Sequence, residues 1–76
     1  MTDAEETKLT IHKLILERMI RDKENEIYYY GNRCKNTMSE IWKTHWKEII
    51  KAKKAEYEAL DYAWELIKKE LDEVAE

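Results

Sequence analysis

The stretch YYYGNRCKNTMSE, residues 28–40, holds the only glycine of a 76-residue chain that has no proline. Turn chemistry is therefore available at essentially one place, because glycine and proline are the strongest local breakers of regular structure. Gly31-Asn32 is the natural stop for a helix, since these residue types tolerate the left-handed conformation that closes one. Thr37-Met38-Ser39-Glu40 then has the form of a capping box, in which a threonine hydroxyl and a glutamate carboxylate satisfy each other's exposed amides. These signals predict helix 1 over about 3–30, a turn over 31–36 and helix 2 over about 38–75.

Toward the amino terminus, Thr2 or Asp3 can cap helix 1, with Glu5 and Glu6 complementing the helix dipole. Leu9, His12, Leu16, Met19, Ile20, Ile27 and Tyr30 share one sector at about 100° per residue, whereas Ile11, Leu14, Ile15 and Tyr29 fall elsewhere. The helix is thus apolar on more than one face. Toward the carboxyl terminus, Trp46, Ile50, Lys53, Tyr57, Leu60, Trp64, Ile67, Leu71 and Val74 alternate steps of three and four, the seam of a coiled coil. A second stripe, Ile41, Ala52, Ala55, Ala59, Tyr62, Ala63 and Leu66, covers another side, its alanines permitting close helix approach. Ala, Glu, Lys, Leu and Arg make up 39 of the 76 residues, the share near one half that marks long helices and coiled coils. The expected fold is all-α, an antiparallel helical hairpin in a single domain, with strand content near zero.

A chain this short struggles to bury enough apolar surface alone. Cys34 is the sole cysteine, so an intrachain disulfide is excluded. If the chain turns near residue 34, Leu9 faces about Ala59 and helix 1 runs out near Trp64, leaving Ile67, Leu71 and Val74 overhanging. Exposing three such side chains forfeits about 1.5–3 kcal/mol each. Pairing of two hairpins into a four-helix bundle is therefore expected, with Leu60, Trp64, Ile67, Leu71 and Val74 at the interface between copies. The rival architecture breaks helix 2 near Lys51–Lys54 into a three-helix bundle, although no glycine, proline or Asx residue marks a break there.

Charge is unevenly placed within the net of −3: residues 33–54 carry 7 basic and 2 acidic groups, residues 55–76 carry 2 and 8. Lys43, Lys47, Lys51 and Lys54 share one sector of helix 2, with Arg33, Lys35, Trp42 and Trp46 nearby. Such a stripe can meet phosphates, but a pI near 5.5 is far from that of a typical nucleic-acid binder. A solvated face, or pairing with the acidic third of a second copy, is the plainer account.

Glu58, Asp61 and Glu65 stand at helical spacing, as do magnesium-holding carboxylates of all-helical nucleotide pyrophosphatases, yet the upstream Glu-x-x-Glu pair of that family is missing. A charged solvent face accounts for them, and for their neighbours down to Glu76. The same face could imitate nucleic-acid phosphates. Cys34, His12 and His45 lack the local pairing that structural zinc needs, so no metal or cofactor is expected. Lys23 and Lys53 interrupt apolar seams, where a charge either fixes register or reaches out to solvent.

The aromatic set is dense for the size. Tyr28, Tyr29, Tyr30, Trp42 and Trp46 converge on the turn, and tyrosine and tryptophan are enriched at binding hot spots. No nucleophile and base pair, glycine-rich loop or metal motif is present, so an enzyme is not expected. The expected function is a small protein-binding regulator, an inhibitor of a larger partner, contacting it through Tyr28, Tyr29, Tyr30, Trp42, Trp46 and the four stripe lysines. Its size and Lys-, Ile- and Tyr-rich makeup suit a bacteriophage or bacterial accessory factor. The alternatives are a nucleic-acid-binding bundle and a purely structural oligomerisation module. MTDAEETK has neither the basic start nor the apolar run of a secretory signal, and no stretch approaches the roughly 18 apolar residues of a membrane span, so a soluble, cytoplasmic protein is expected.

Overall fold

The computed structural model of the chain describes residues 2–75. Two antiparallel helices, α1 (Asp3–Asn36) and α2 (Glu40–Ala75), form a rod of 56 × 15 × 14 Å, an all-α helical hairpin. Thr2 rather than Asp3 caps α1: its Oγ1 accepts the Glu5 amide at 3.2 Å, and Asp3, Glu5 and Glu6 lie in the first turn. Negative charge there is favoured by the helix dipole.

The hairpin bends later than its sequence suggests. Among the described residues none has a positive φ, Gly31 included, and α1 continues six residues past Tyr30, through the segment 31–36 expected to form the turn. Glycine permits the left-handed conformation without imposing it, and placing it inside a helix costs only about 0.5–1 kcal/mol. Continuation carries Cys34 into the seam, where its thiol donates to the Lys43 carbonyl at 3.8 Å. The extended backbone of Thr37 (φ −88°, ψ 140°) is what ends α1. The Thr37–Glu40 capping box does not form. Instead the Ser39 hydroxyl accepts the Trp42 amide at 3.4 Å, its carbonyl accepts the Lys43 amide at 3.0 Å, and its own amide donates to Thr37 Oγ1. Serine is the better N-cap of the two, so Ser39 wins over Thr37. α2 runs unbroken through Lys51–Lys54, which rules out the three-helix bundle.

Moving the turn changes the register. Cross-helix bonds join Glu17 with Trp64, Glu24 with Tyr57, Glu26 with Lys53, and Tyr30 stacks on Trp46. On this register Leu9 lies opposite Ile67–Leu71, and the expected ten-residue overhang of α2 is absent, because the helices are 34 and 36 residues long. Leu60, Trp64, Ile67, Leu71 and Val74, expected between two copies, are buried or half-buried along α1 of their own chain.

The face that α1 turns inward also differs from the apolar sector read from its sequence. His12 and Met19 are exposed, whereas Leu9, Lys13, Leu16, Ile20, Lys23, Ile27, Tyr30 and Cys34 are shielded from solvent, with Glu17, Glu26 and Gly31 half-buried beside them. The series from Leu9 to Cys34 alternates steps of four and three and so matches the seam of α2, two heptad stripes packed side by side. The core remains thin: among the described residues only Leu16 (5% exposed) and Ile67 (9%) are buried apolar side chains.

Candidate functional site

The turn end of the rod concentrates the aromatic residues. Trp42 and Trp46 are one helical turn apart on α2 and stack with ring centroids 5.8 Å apart. Tyr30 of α1 stacks on the other side of Trp46 at 5.6 Å, and Tyr29 meets Tyr30 edge to face at 5.3 Å. His45 fills the angle between the two tryptophans, 5.4 Å from Trp42 and 5.2 Å from Trp46. Offset and edge-to-face arrangements of this kind add about 0.5–1.5 kcal/mol per pair beyond area burial. The stack holds each ring in place.

Arg33 anchors the outer edge of this cluster. Its guanidinium donates to the Tyr29 hydroxyl through Nε (3.1 Å) and an Nη (2.8 Å) while lying 5.2 Å from the ring centroid. Beyond the stack the apolar tip is bare: Met38 is 95% exposed, Ile41 82% and Trp42 53%. Arg33, Asn36, Thr37, Trp42 and Trp46 line a shallow groove beside it.

Not every expected site residue joins the cluster. Tyr28 points to a different flank, lining a groove with Ile27, Lys54 and Tyr57, because successive helical positions diverge by about 100°. Lys43 is within 3.5 Å of the Glu40 carboxylate. Lys47, Lys51 and Lys54 are exposed and make no ion pair among the described residues. His12, His45 and Cys34 do not assemble, and no group of three or more His, Cys, Asp or Glu side chains suited to a metal occurs among the described residues. No described helix is long and apolar enough to cross a membrane. Met38 belongs to no periodic stripe and its signal is position alone, at the point where the chain reverses, whereas Ile41 heads the second stripe of helix 2.

Midway along the rod the two seam lysines find carboxylates. Lys23 bonds Glu56 across the helices and lies 3.5 Å from Glu26, whose Oε2 is shielded from solvent and 3.0 Å from Lys53. The Lys53 ammonium 3.0 Å away holds the Glu26 carboxyl below its ordinary range, and the bond from Lys23 does the same for Glu56. Lys23 is raised in turn, chiefly by its bond to Glu56. Nearby, the Tyr57 hydroxyl donates to Glu24 at 3.1 Å, which raises the phenol. Apart from the shielded Glu26 Oε2 these groups reach solvent, so the network adds little stability while its pairing ties α1 to α2 at one register.

No protein-family model matches the chain, and neither the curated proteins nor the solved structures give a match. Fold and site define an antiparallel helical hairpin that carries an aromatic tip and an ionic clasp.

Proposed function

We propose that the chain is a small non-enzymatic protein-binding regulator that contacts a larger partner through the turn end of the hairpin and acts by occupying that partner's surface. The observation carrying this reading is the bare tip of Met38, Ile41 and Trp42 seated on a rigid aromatic stack. Met38 and Ile41 are almost wholly exposed and bury little in the fold, and the tryptophan beside them is of a type enriched at hot spots. Arg33, Lys43 and Lys47 give the tip a basic rim, which selects for an acidic or polar border on the partner.

The test compares the wild-type chain with Ile41→Asp and Trp42→Ala, first in affinity capture and then with the captured protein purified. A hot spot of about 2 kcal/mol corresponds to roughly a thirtyfold loss of affinity, with far-UV circular dichroism unchanged. Equal binding by all three chains would defeat the proposal. The free lysines Lys47, Lys51 and Lys54 favour a second reading, nucleic-acid binding, which predicts a gel shift that weakens steeply with salt. The working unit is read as a homodimer of hairpins that leaves the tips free.

A further inference from the structure

The two apolar stripes that the seam does not use converge on one flank. Ile11, Ile15 and Met19 of α1 and Ala59, Tyr62 and Leu66 of α2 are all exposed. Met19 and Ala59 line a single groove there, bordered by the charged Asp22, Lys23, Glu26 and Glu56. Taking about 100° per residue from that groove, Ile15 and Ile11 continue the same side of α1, and Ala52, Ala55, Tyr62 and Leu66 the same side of α2. The opposite flank mixes Glu17, Arg21, Glu24 and Asp61 with the seam residues Ile20, Tyr57 and Trp64.

Area argues that this flank is covered. The chain exposes 6198 Å², whereas a folded monomer of 9.3 kDa exposes about 5,000 Å². The excess, about 1,200 Å², exceeds the roughly 800 Å² per partner of a standard interface.

Charge argues for the occupant and for its direction. Residues 20–56, the half of the rod nearest the turn, carry 9 basic and 6 acidic groups, a net of +3. Residues 2–19 and 57–74, the open half, carry 5 and 10, a net of −5. A second copy laid antiparallel sets each positive half against a negative one; a parallel copy sets like against like. Shape agrees, since an axis through the middle of the rod, near Met19 and Ala59, lays the large Tyr62 and Leu66 of one copy over the small Ala52 and Ala55 of the other.

We propose that the Ile15–Leu66 flank is covered by a second copy of this chain, related by a two-fold axis across the rod, so that the two aromatic turn ends lie at opposite ends of a four-helix bundle. The proposal rests on the homodimer reading above and adds its face and direction to it. The test is sedimentation equilibrium of the full chain together with a nitroxide distance measured on a Cys34→Ser/Lys35→Cys chain, Lys35 being exposed beside the turn. A dimer with spins about 45–50 Å apart is expected from the rod length of 56 Å and a rise of about 1.5 Å per residue. Ile15→Glu should raise the dissociation constant at least tenfold with helicity retained, while Leu14→Glu, on the back of α1, should leave it within twofold. A dimer with spins closer than about 25 Å, as turn ends set side by side within the 15 Å width of a hairpin would give, or one indifferent to Ile15→Glu, would overturn the face and direction alone. A folded 9.3 kDa monomer at every concentration would overturn the dimer with them.

Discussion

Replacing Gly31 by alanine separates the two places where this chain can reverse. In α1 an alanine Cβ at position 31 meets no atom within 4 Å, and the backbone there is helical. The substitution adds a methyl group without a clash and removes backbone freedom from the unfolded chain. Glycine is about 0.5–1 kcal/mol worse than alanine in a helix interior, so Gly31→Ala should stabilise the protein by that amount. For a domain of this size about 1 kcal/mol moves Tm by roughly 4–8 °C, and a rise of about 3–7 °C is expected. Thermal and urea unfolding followed at 222 nm (the wavelength at which a helix is read), at one fixed protein concentration because assembly shifts apparent stability, would measure it. A fall in Tm would mean that position 31 adopts a positive φ, where alanine is strained. The hairpin would then turn at 31–36, α2 would overhang, and the register derived from the Glu17, Glu24 and Glu26 bonds would be wrong.

Acid should weaken the fold through the central clasp. Glu26 and Glu56 have carboxyls lowered from an ordinary 4.5, so the stability they lend is fully present above that value and is lost as pH falls through their lower folded values. Glu26→Gln/Glu56→Gln should flatten the acid limb of a Tm-against-pH curve; an unaltered limb would show that the clasp is not what titrates. The Lys23 contribution has the opposite sign, complete below 10.5 and lost only as pH rises through a higher folded value, so no loss from it is expected near neutrality. Leu16→Ala should cost about 2–4 kcal/mol and leave the chain largely unfolded, while Leu14→Ala, at an exposed position, should change stability by less than about 0.5 kcal/mol; equal effects in urea melts would mean that the seam is misplaced. Lys53→Leu with Glu26→Gln should raise Tm while weakening the near-ultraviolet circular dichroism of the tryptophans, because slipped registers become accessible. An undiminished aromatic signal would remove the register role.

Composition and the strict three-four alternation of α2 were enough to read two antiparallel helices and the α2 seam. The α1 seam was only partly legible: Lys23 stands in it as a visible interruption, but Lys13 does not score as inward by hydrophobicity whereas the exposed His12 and Met19 fall in the apolar sector. The aliphatic stems of the two lysines cover apolar surface while the ammonium reaches a carboxylate or an aromatic face, as Lys23 does with Glu56 and Lys13 with the ring of Trp64. Hydrophobicity alone does not score such residues as inward. The turn was misplaced for a different reason: Gly31 looks like a stop in isolation, and only the packing of Cys34, Tyr30 and Trp46 across the helices shows why the chain continues. At the tip, Tyr29, Tyr30, Trp42 and Trp46 were legible as a converging set, whereas the separation of Tyr28 follows from helical phase once the seam is known.

Register is the link between the clasp and the tip. Two heptad stripes of similar apolar character can slide by one repeat, about 10 Å along the axis, without exposing more apolar surface in the middle. The charged residues do not tolerate that slide. Moving α2 by seven positions separates Glu56 from Lys23 and Lys53 from Glu26, leaving Lys23 near Ile50 and Lys53 near Ile20 in one direction, or near Trp64 and Cys34 in the other. The same slide parts Tyr30 from Trp46 and dissolves the aromatic stack. Charges that add little to stability in water thereby select the one alignment in which Trp42, Trp46 and Tyr30 stack and hold Met38 and Ile41 outward. A rod with only two buried apolar side chains among its described residues owes the alignment of its tip to register rather than to its core.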